Sequence, residues 1–157
     1  MALGAEEPLS IKPDFWVNFL WKRLLGASVL GASASSRDVR AYAFAGAPAS
    51  PFAEAACAGA PFQLLLINLR NASAQVALPP APRASTFSLW ALAPANGTAL
   101  STGATLNGEA LPARLDVRQG DPSFLRRAPA AASGAIGAPL ALAPLSVAFV
   151  CYDANSM

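Results

Sequence analysis

Histidine is absent from this 157-residue chain, which removes the commonest metal ligand and the commonest general base near neutral pH. Only two cysteines occur, Cys57 and Cys151, and two thiolates cannot complete a structural zinc site by themselves. They can close one disulfide in an oxidising compartment or remain two thiols, and both states stay open at this level. Charged side chains are scarce, at 13% of residues against about 25% in an average soluble domain. The formal charge of +2 favours no class of partner, and no basic run sits among aromatics as a nucleic-acid surface requires. Although 54% of residues are hydrophobic, many are alanines, and prolines, glycines and polar residues interrupt every apolar run. No run approaches the ~20 residues needed to span a bilayer. Residues 1–9 carry Glu6 and Glu7 and lack a basic start and an apolar stretch, so no secretory leader is expected there.

The chemistry-bearing motifs are equally sparse. There is no Gly-x-Ser-x-Gly elbow, no Walker A run and no dinucleotide fingerprint. Glycoside hydrolysis usually needs two facing carboxyl groups. The acidic residues are Glu6, Glu7, Glu54, Glu109, Asp14, Asp38, Asp116, Asp121 and Asp153. None of the glutamates ends a well-formed apolar strand: Glu6 and Glu7 lie at the start, Glu54 in an expected loop and Glu109 beside a turn. All four are expected to be solvated, and Asp14 suits the positive end of a helix. No catalytic, cofactor-binding or metal-binding residue is therefore assigned. Arg114, Arg118, Arg126 and Arg127 could form a cationic patch for an acidic polysaccharide, although scattered loop arginines more often serve solubility. Asn71-Ala72-Ser73 and Asn96-Gly97-Thr98 match the N-glycosylation pattern, which has meaning only in a secreted chain.

What the chain does contain is an aromatic helix followed by many short strands. Pro13 suits a first turn, Lys22 and Arg23 a last turn, and Gly26 a C′ position. Phe15, Trp16, Phe19, Leu20, Leu24 and Leu25 repeat at helical spacing, with Val17 and Trp21 widening the apolar face. So large a face predicts a packing partner, and the expected one lies outside this chain. Strands are expected over 28–34, 39–45, 62–69, 74–78, 86–92 and 145–152. Residues 46–60 read as a loop and 119–138 as irregular. Leu64-Leu65-Leu66-Ile67 suggests burial on both faces. Asn107-Gly108 marks a type I′ hairpin between 104–106 and 109–111, which Leu115 to Val117 could continue. This spacing indicates a mainly β chain, an antiparallel β-sandwich preceded by one amphipathic helix.

The order of these segments resembles a known family. Pro13-Asp14-Phe15-Trp16, Leu20-Trp21-Lys22-Arg23-Leu24-Leu25-Gly26 and Val39-Arg40-Ala41-Tyr42 are similar to the end of the catalytic barrel and the start of the adjoining domain in heparanase-like proteins. Leu64-Leu65-Leu66-Ile67-Asn68-Leu69 with Asn71, Leu106-Asn107-Gly108, and residues 142–150 continue the match in the same order. Those proteins are endo-β-glucuronidases of glycoside hydrolase family 79. The resemblance implies that residues 1–26 are the remnant of a (β/α)8 barrel, its final helix, and that 27–157 form the C-terminal sandwich. The barrel would then be the missing partner, reached through Phe15, Trp16, Phe19 and Leu20. The family's two catalytic glutamates lie in the barrel, upstream of everything matched here, so no catalytic residue carries over. The implied role is accessory and inactive in isolation, with a non-catalytic polysaccharide-binding or interaction module as the alternative. No cofactor is implied. The implied setting is secreted, cell-wall, lysosomal, vacuolar or membrane-associated, as a glycoprotein. Family members from vertebrates place a cysteine near the position of Ala45; here Cys57 would take its place in a bridge to Cys151. The family's sandwich also takes strands from chain that precedes the barrel.

Overall fold

The computed structural model describes residues 9–48, 50, 53–81, 84–115 and 131–153. In chain order the elements are β1 (Leu9–Ser10), α1 (Pro13–Leu24), β2 (Gly26–Leu30), β3 (Val39–Pro48), α2 (Ala55–Ala58), β4 (Gln63–Asn68), β5 (Ala74–Ala77), β6 (Thr86–Pro94), β7 (Ala104–Leu106), β8 (Glu109–Ala110), β9 (Arg114–Leu115), β10 (Ala132–Ala135), β11 (Pro139–Leu142) and β12 (Val147–Tyr152). One large sheet runs β2-β3-β4-β12-β6-β7-β8, with β10 also on β6. Two short ribbons, β11-β5 and β1-β9, stand apart from it. Every strand pairing among the described residues is antiparallel. The chain is thus mainly β, with open antiparallel sheets and, among the described residues, one helix longer than a single turn.

The pleat explains which residues go where. Leu65, Trp90, Leu92, Phe149 and Cys151 face α1 and form one buried cluster with Trp16, Leu20 and Leu24. Leu64, Leu66, Phe87, Val150 and Tyr152 point to the other face, where Leu140 and Leu142 of β11 and Leu78 beyond β5 cover them. β4 is therefore buried on both sides, as its unbroken apolar run predicts. The Asn107-Gly108 turn forms as expected, with positive φ at both residues (50° and 89°). Asn107 does more than turn the chain. Its Oδ1 accepts from the Ala91 N–H at 2.8 Å and its Nδ2 donates to the Leu89 carbonyl at 3.1 Å. It thereby fills the gap on the outer edge of β6 between β10 and β7.

Several expectations are corrected. α1 does not wait for an outside cover along its whole face: Trp16 and Leu20 lie in the core of this chain, 6% and 1% exposed. Phe15 stays 37% and Trp21 42% exposed, because helical spacing places them on the two flanks of the buried stripe. Gly26 does not adopt a left-handed cap conformation. It opens β2 at a register shift against β3, and a Cβ there would stand 2.2 Å from the Ala45 carbonyl oxygen. Only glycine lets the two backbones approach so closely.

β2 ends at Leu30, and residues 31–34 leave the sheet. β3 runs on to Pro48, and the expected loop over 46–60 contains the helical turn α2. β5 pairs with β11, and the two edges of β4 are taken by β3 and β12. β9 pairs with β1 rather than extending the hairpin; residues 116 and 117 lie outside the described residues. Within 119–138, Ala132–Ala135 form a strand on β6.

Tyr152 provides a test of the core. It is fully buried, its ring lies 4.2 Å from that of Phe62, and its hydroxyl donates to the Pro79 carbonyl at 2.9 Å. Burial pushes its pKa up to about 12. The unfolded phenol ionises near 10. Above that pH the unfolded state sheds a proton that the folded state keeps. Stability that is fully present below about pH 10 is therefore lost as pH rises toward about 12. Tyr152→Phe is expected to cost about 1 kcal/mol at neutral pH, from the hydrogen bond, and to shrink this alkaline decline. Urea midpoints of both proteins at about pH 8 and about pH 11 measure it; parallel declines would refute the assignment.

Candidate functional site

Two places stand out in the fold, and the first gathers residues that the sequence singled out. The first lies where α1 ends. Cys57 of α2 and Cys151 of β12 are joined in a disulfide with Cα atoms 5.2 Å apart, and both are completely buried. Beside it, Arg23 and Glu54 form a buried ion pair, the Arg23 Nε donating to Glu54 Oε1 at 2.9 Å. The guanidinium also lies over the Phe19 ring, 5.1 Å from its centre. Gln63, inside the apolar run of β4, is fully buried. Its Oε1 accepts from the Gly26 N–H at 3.2 Å, while Nε2 donates to the carbonyls of Gly46 at 3.1 Å and Cys57 at 3.3 Å. One amide thus ties the end of α1, the end of β3 and α2 together.

The expectation that Glu54 is solvated is corrected here. Glu54 is 7% exposed, because α2 folds back and its own N–H reaches the Arg23 carbonyl at 3.2 Å. Nothing in the local sequence signals this, since the partner is 31 residues away. Chemically the cluster is a clasp. Its sulfurs are bonded to each other, its carboxylate is engaged by a guanidinium, and its amide is saturated.

The remaining candidates are dispersed. Glu109 is exposed on β8 and Asp14 in the first turn of α1. Asp38 is exposed, 3.8 Å from the Arg70 Nε, and Asp153 accepts from the Ser88 hydroxyl at 2.9 Å. Glu6, Glu7, Asp116 and Asp121 lie outside the described residues. So do Arg118, Arg126 and Arg127, leaving Arg114 as the described member of that patch, exposed on β9. Among the described residues no group of three acidic or cysteine side chains could hold a metal ion, and no helix is long and apolar enough to cross a membrane. Asn71 and Asn96 are both exposed.

The second place is a cleft of about 620 Å³ on the face opposite α1. Val39, Ala41 and Ala43 of β3 and Leu64 and Leu66 of β4 form its floor, residues 31–36 one wall, and residues 75–79 the other. The β5 edge that lines it carries no strand among the described residues. Neighbouring strands lie about 4.8 Å apart and facing sheets about 10 Å apart, so the volume holds about four residues of one strand. That is the length of β5. Ser33, Ser35, Ser36 and Gln75 supply the polar rim. The cleft is invisible in the sequence, because its walls come from three segments far apart in the chain.

The chain matches none of the known protein-family models and no curated protein.

Proposed function

We propose that this chain is the C-terminal accessory module of a heparanase-like glycoside hydrolase. In this reading it is one part of a β-sandwich that supports a barrel hydrolysing β-glucuronidic bonds in glycans. The observation that carries the reading is the cleft beside β5, an apolar floor of β3 and β4 side chains next to a β5 edge that carries no strand among the described residues. A strand added there would complete the layer over β3 and β4, as the family's borrowed strands do, and would satisfy the backbone groups of β5. The outer face of α1, bordered on its two flanks by Phe15 and Trp21, would meet the barrel. Trp16 and Leu20 are left out of that contact because this chain's own sheet covers them. Catalysis would belong to the barrel; among the described residues Asp14, Asp38, Glu54, Glu109 and Asp153 lie dispersed over different elements. An oxidising compartment is part of the proposal, and the buried disulfide supports it.

The test is the transcript 5′ of the codon for Met1, together with an assay. The expected result is an upstream frame encoding alternating strands and helices with two strand-end glutamates, preceded by a short apolar strand. The 157-residue chain itself is expected to leave an aryl β-glucuronide intact. Turnover of that glucuronide, lost on Glu54→Gln or Glu109→Gln, would overturn the reading.

A further inference from the structure

The loop between β6 and β7 holds a sequon that the accessory role does not use. Residues 95–103 fold as successive hydrogen-bonded turns: Gly97 N–H to the Pro94 carbonyl at 3.1 Å, Ser101 N–H to Thr98 at 3.1 Å, and Ala95 N–H to Gly103 at 3.1 Å. Gly97 supplies the positive φ of 71° that the first turn needs. At the tip, Asn96 Oδ1 accepts from both the Thr98 N–H at 3.1 Å and the Thr98 hydroxyl at 3.0 Å. With Oδ1 fixed inward by two bonds, the planar amide leaves its Nδ2 lobe on the solvent side. Two to four residues further on stands Leu100, 90% exposed and the barest large apolar side chain described.

The other sequon is held differently. The carbonyl of Ala72, its middle residue, accepts from the Nδ2 of Asn68 at 2.9 Å, and Asn68 is buried in β4 at 1% exposure. Asn71-Ala72-Ser73 is thus pinned to the sheet and cannot lift into an enzyme groove without opening that bond. Asn96-Gly97-Thr98 hangs on a loop tied to itself and to Pro94, the end of the adjoining strand.

We infer that Asn96 is an N-glycan acceptor in the folded chain, and that the glycan covers the apolar tip at Leu100. This goes beyond the accessory role and stands or falls separately from it. The donor is an oligosaccharide on a polyprenyl pyrophosphate. Nδ2 forms a bond to the sugar C1 and gives up one proton. The C1–O bond breaks, and its electron pair leaves with the lipid pyrophosphate.

The experiment incubates the purified, folded full chain with a single-subunit oligosaccharyltransferase and a lipid-linked oligosaccharide, and maps modified peptides by mass spectrometry. The expected result is a glycan on Asn96 and not on Asn71, lost in Thr98→Ala and retained in part in Thr98→Ser. Denatured chain is expected to accept at both sites. An unmodified Asn96 in the folded chain, or Asn71 modified ahead of it, overturns the assignment. Binding of a hydrophobic dye reads the covering role: it should fall on glycosylation and fall similarly in unmodified Leu100→Ser. A glycan at Asn96 that leaves dye binding unchanged overturns that role.

Discussion

Replacing Cys57 and Cys151 together by alanine is expected to lower the free energy of unfolding by about 4–5 kcal/mol. The two residues are 94 apart in sequence, and closing a loop of about a hundred residues in the unfolded chain is worth about that much in the chain-entropy account. Domains of this size hold about 5–15 kcal/mol in total, so the variant should lie near the edge of stability. The loss should concentrate at α2, because four residues cannot persist as an isolated helix. Both sulfurs are fully buried, so reductant should act only through transient opening and should be slow without denaturant. Urea unfolding of the oxidised protein, the reduced protein and the double variant checks all of this. The reduced and variant proteins should share a lowered midpoint and a steeper dependence on urea, as an uncrosslinked denatured state exposes more surface. Equal midpoints for all three would mean that the bridge adds nothing to the clasp.

The parts of the fold that could be read from sequence are those whose cause is local. The Leu64–Ile67 run makes β4 a central strand because each residue is apolar whichever way it points. Alternation in 86–92 correctly divides Phe87, Leu89 and Ala91 from Trp90 and Leu92, since the pleat alone decides it. Asn107-Gly108 turns because those two residues tolerate positive φ. The parts that could not be read depend on distant neighbours. Ala132–Ala135 is poor in β-branched and aromatic residues, and it forms a strand because it lies along β6. Gly134 leaves room for a neighbour there: a Cβ on it would sit 2.4 Å from the Phe87 ring, which would have to shift. Gln63 looks like an intrusion in an apolar strand until Gly26, Gly46 and Cys57 are brought around it. For the candidate sites the same rule holds. The exposure of both sequons follows from their polar turns, whereas the pinning of one by Asn68 and the β5 cleft arise only from tertiary placement.

The Arg23–Glu54 pair follows that rule, and its energetic consequence is of the same order as that of the disulfide. Glu54→Ala is expected to destabilise the protein by about 3–5 kcal/mol, because it removes the carboxylate that balances a guanidinium only 5% exposed. The Phe19 ring under Arg23 cannot replace the carboxylate, as a cation–π contact offsets about 0.5–2 kcal/mol. Removing both charges should cost far less than removing one. Arg23→Met with Glu54→Leu keeps apolar volume, and the backbone bond from the Glu54 N–H to the Arg23 carbonyl at 3.2 Å does not depend on either side chain. Chemical denaturation of the wild type, both single variants and the double variant closes the cycle. A Glu54→Ala loss below about 0.5 kcal/mol would show that water reaches the pair and that it behaves as a surface contact. The pair and the disulfide also anchor the same turn, three residues apart. In a background lacking Cys57 and Cys151, α2 can move away and let water reach Arg23. The cost of Glu54→Ala should therefore shrink there, and a full, additive loss would mean that α2 holds its place without the bridge.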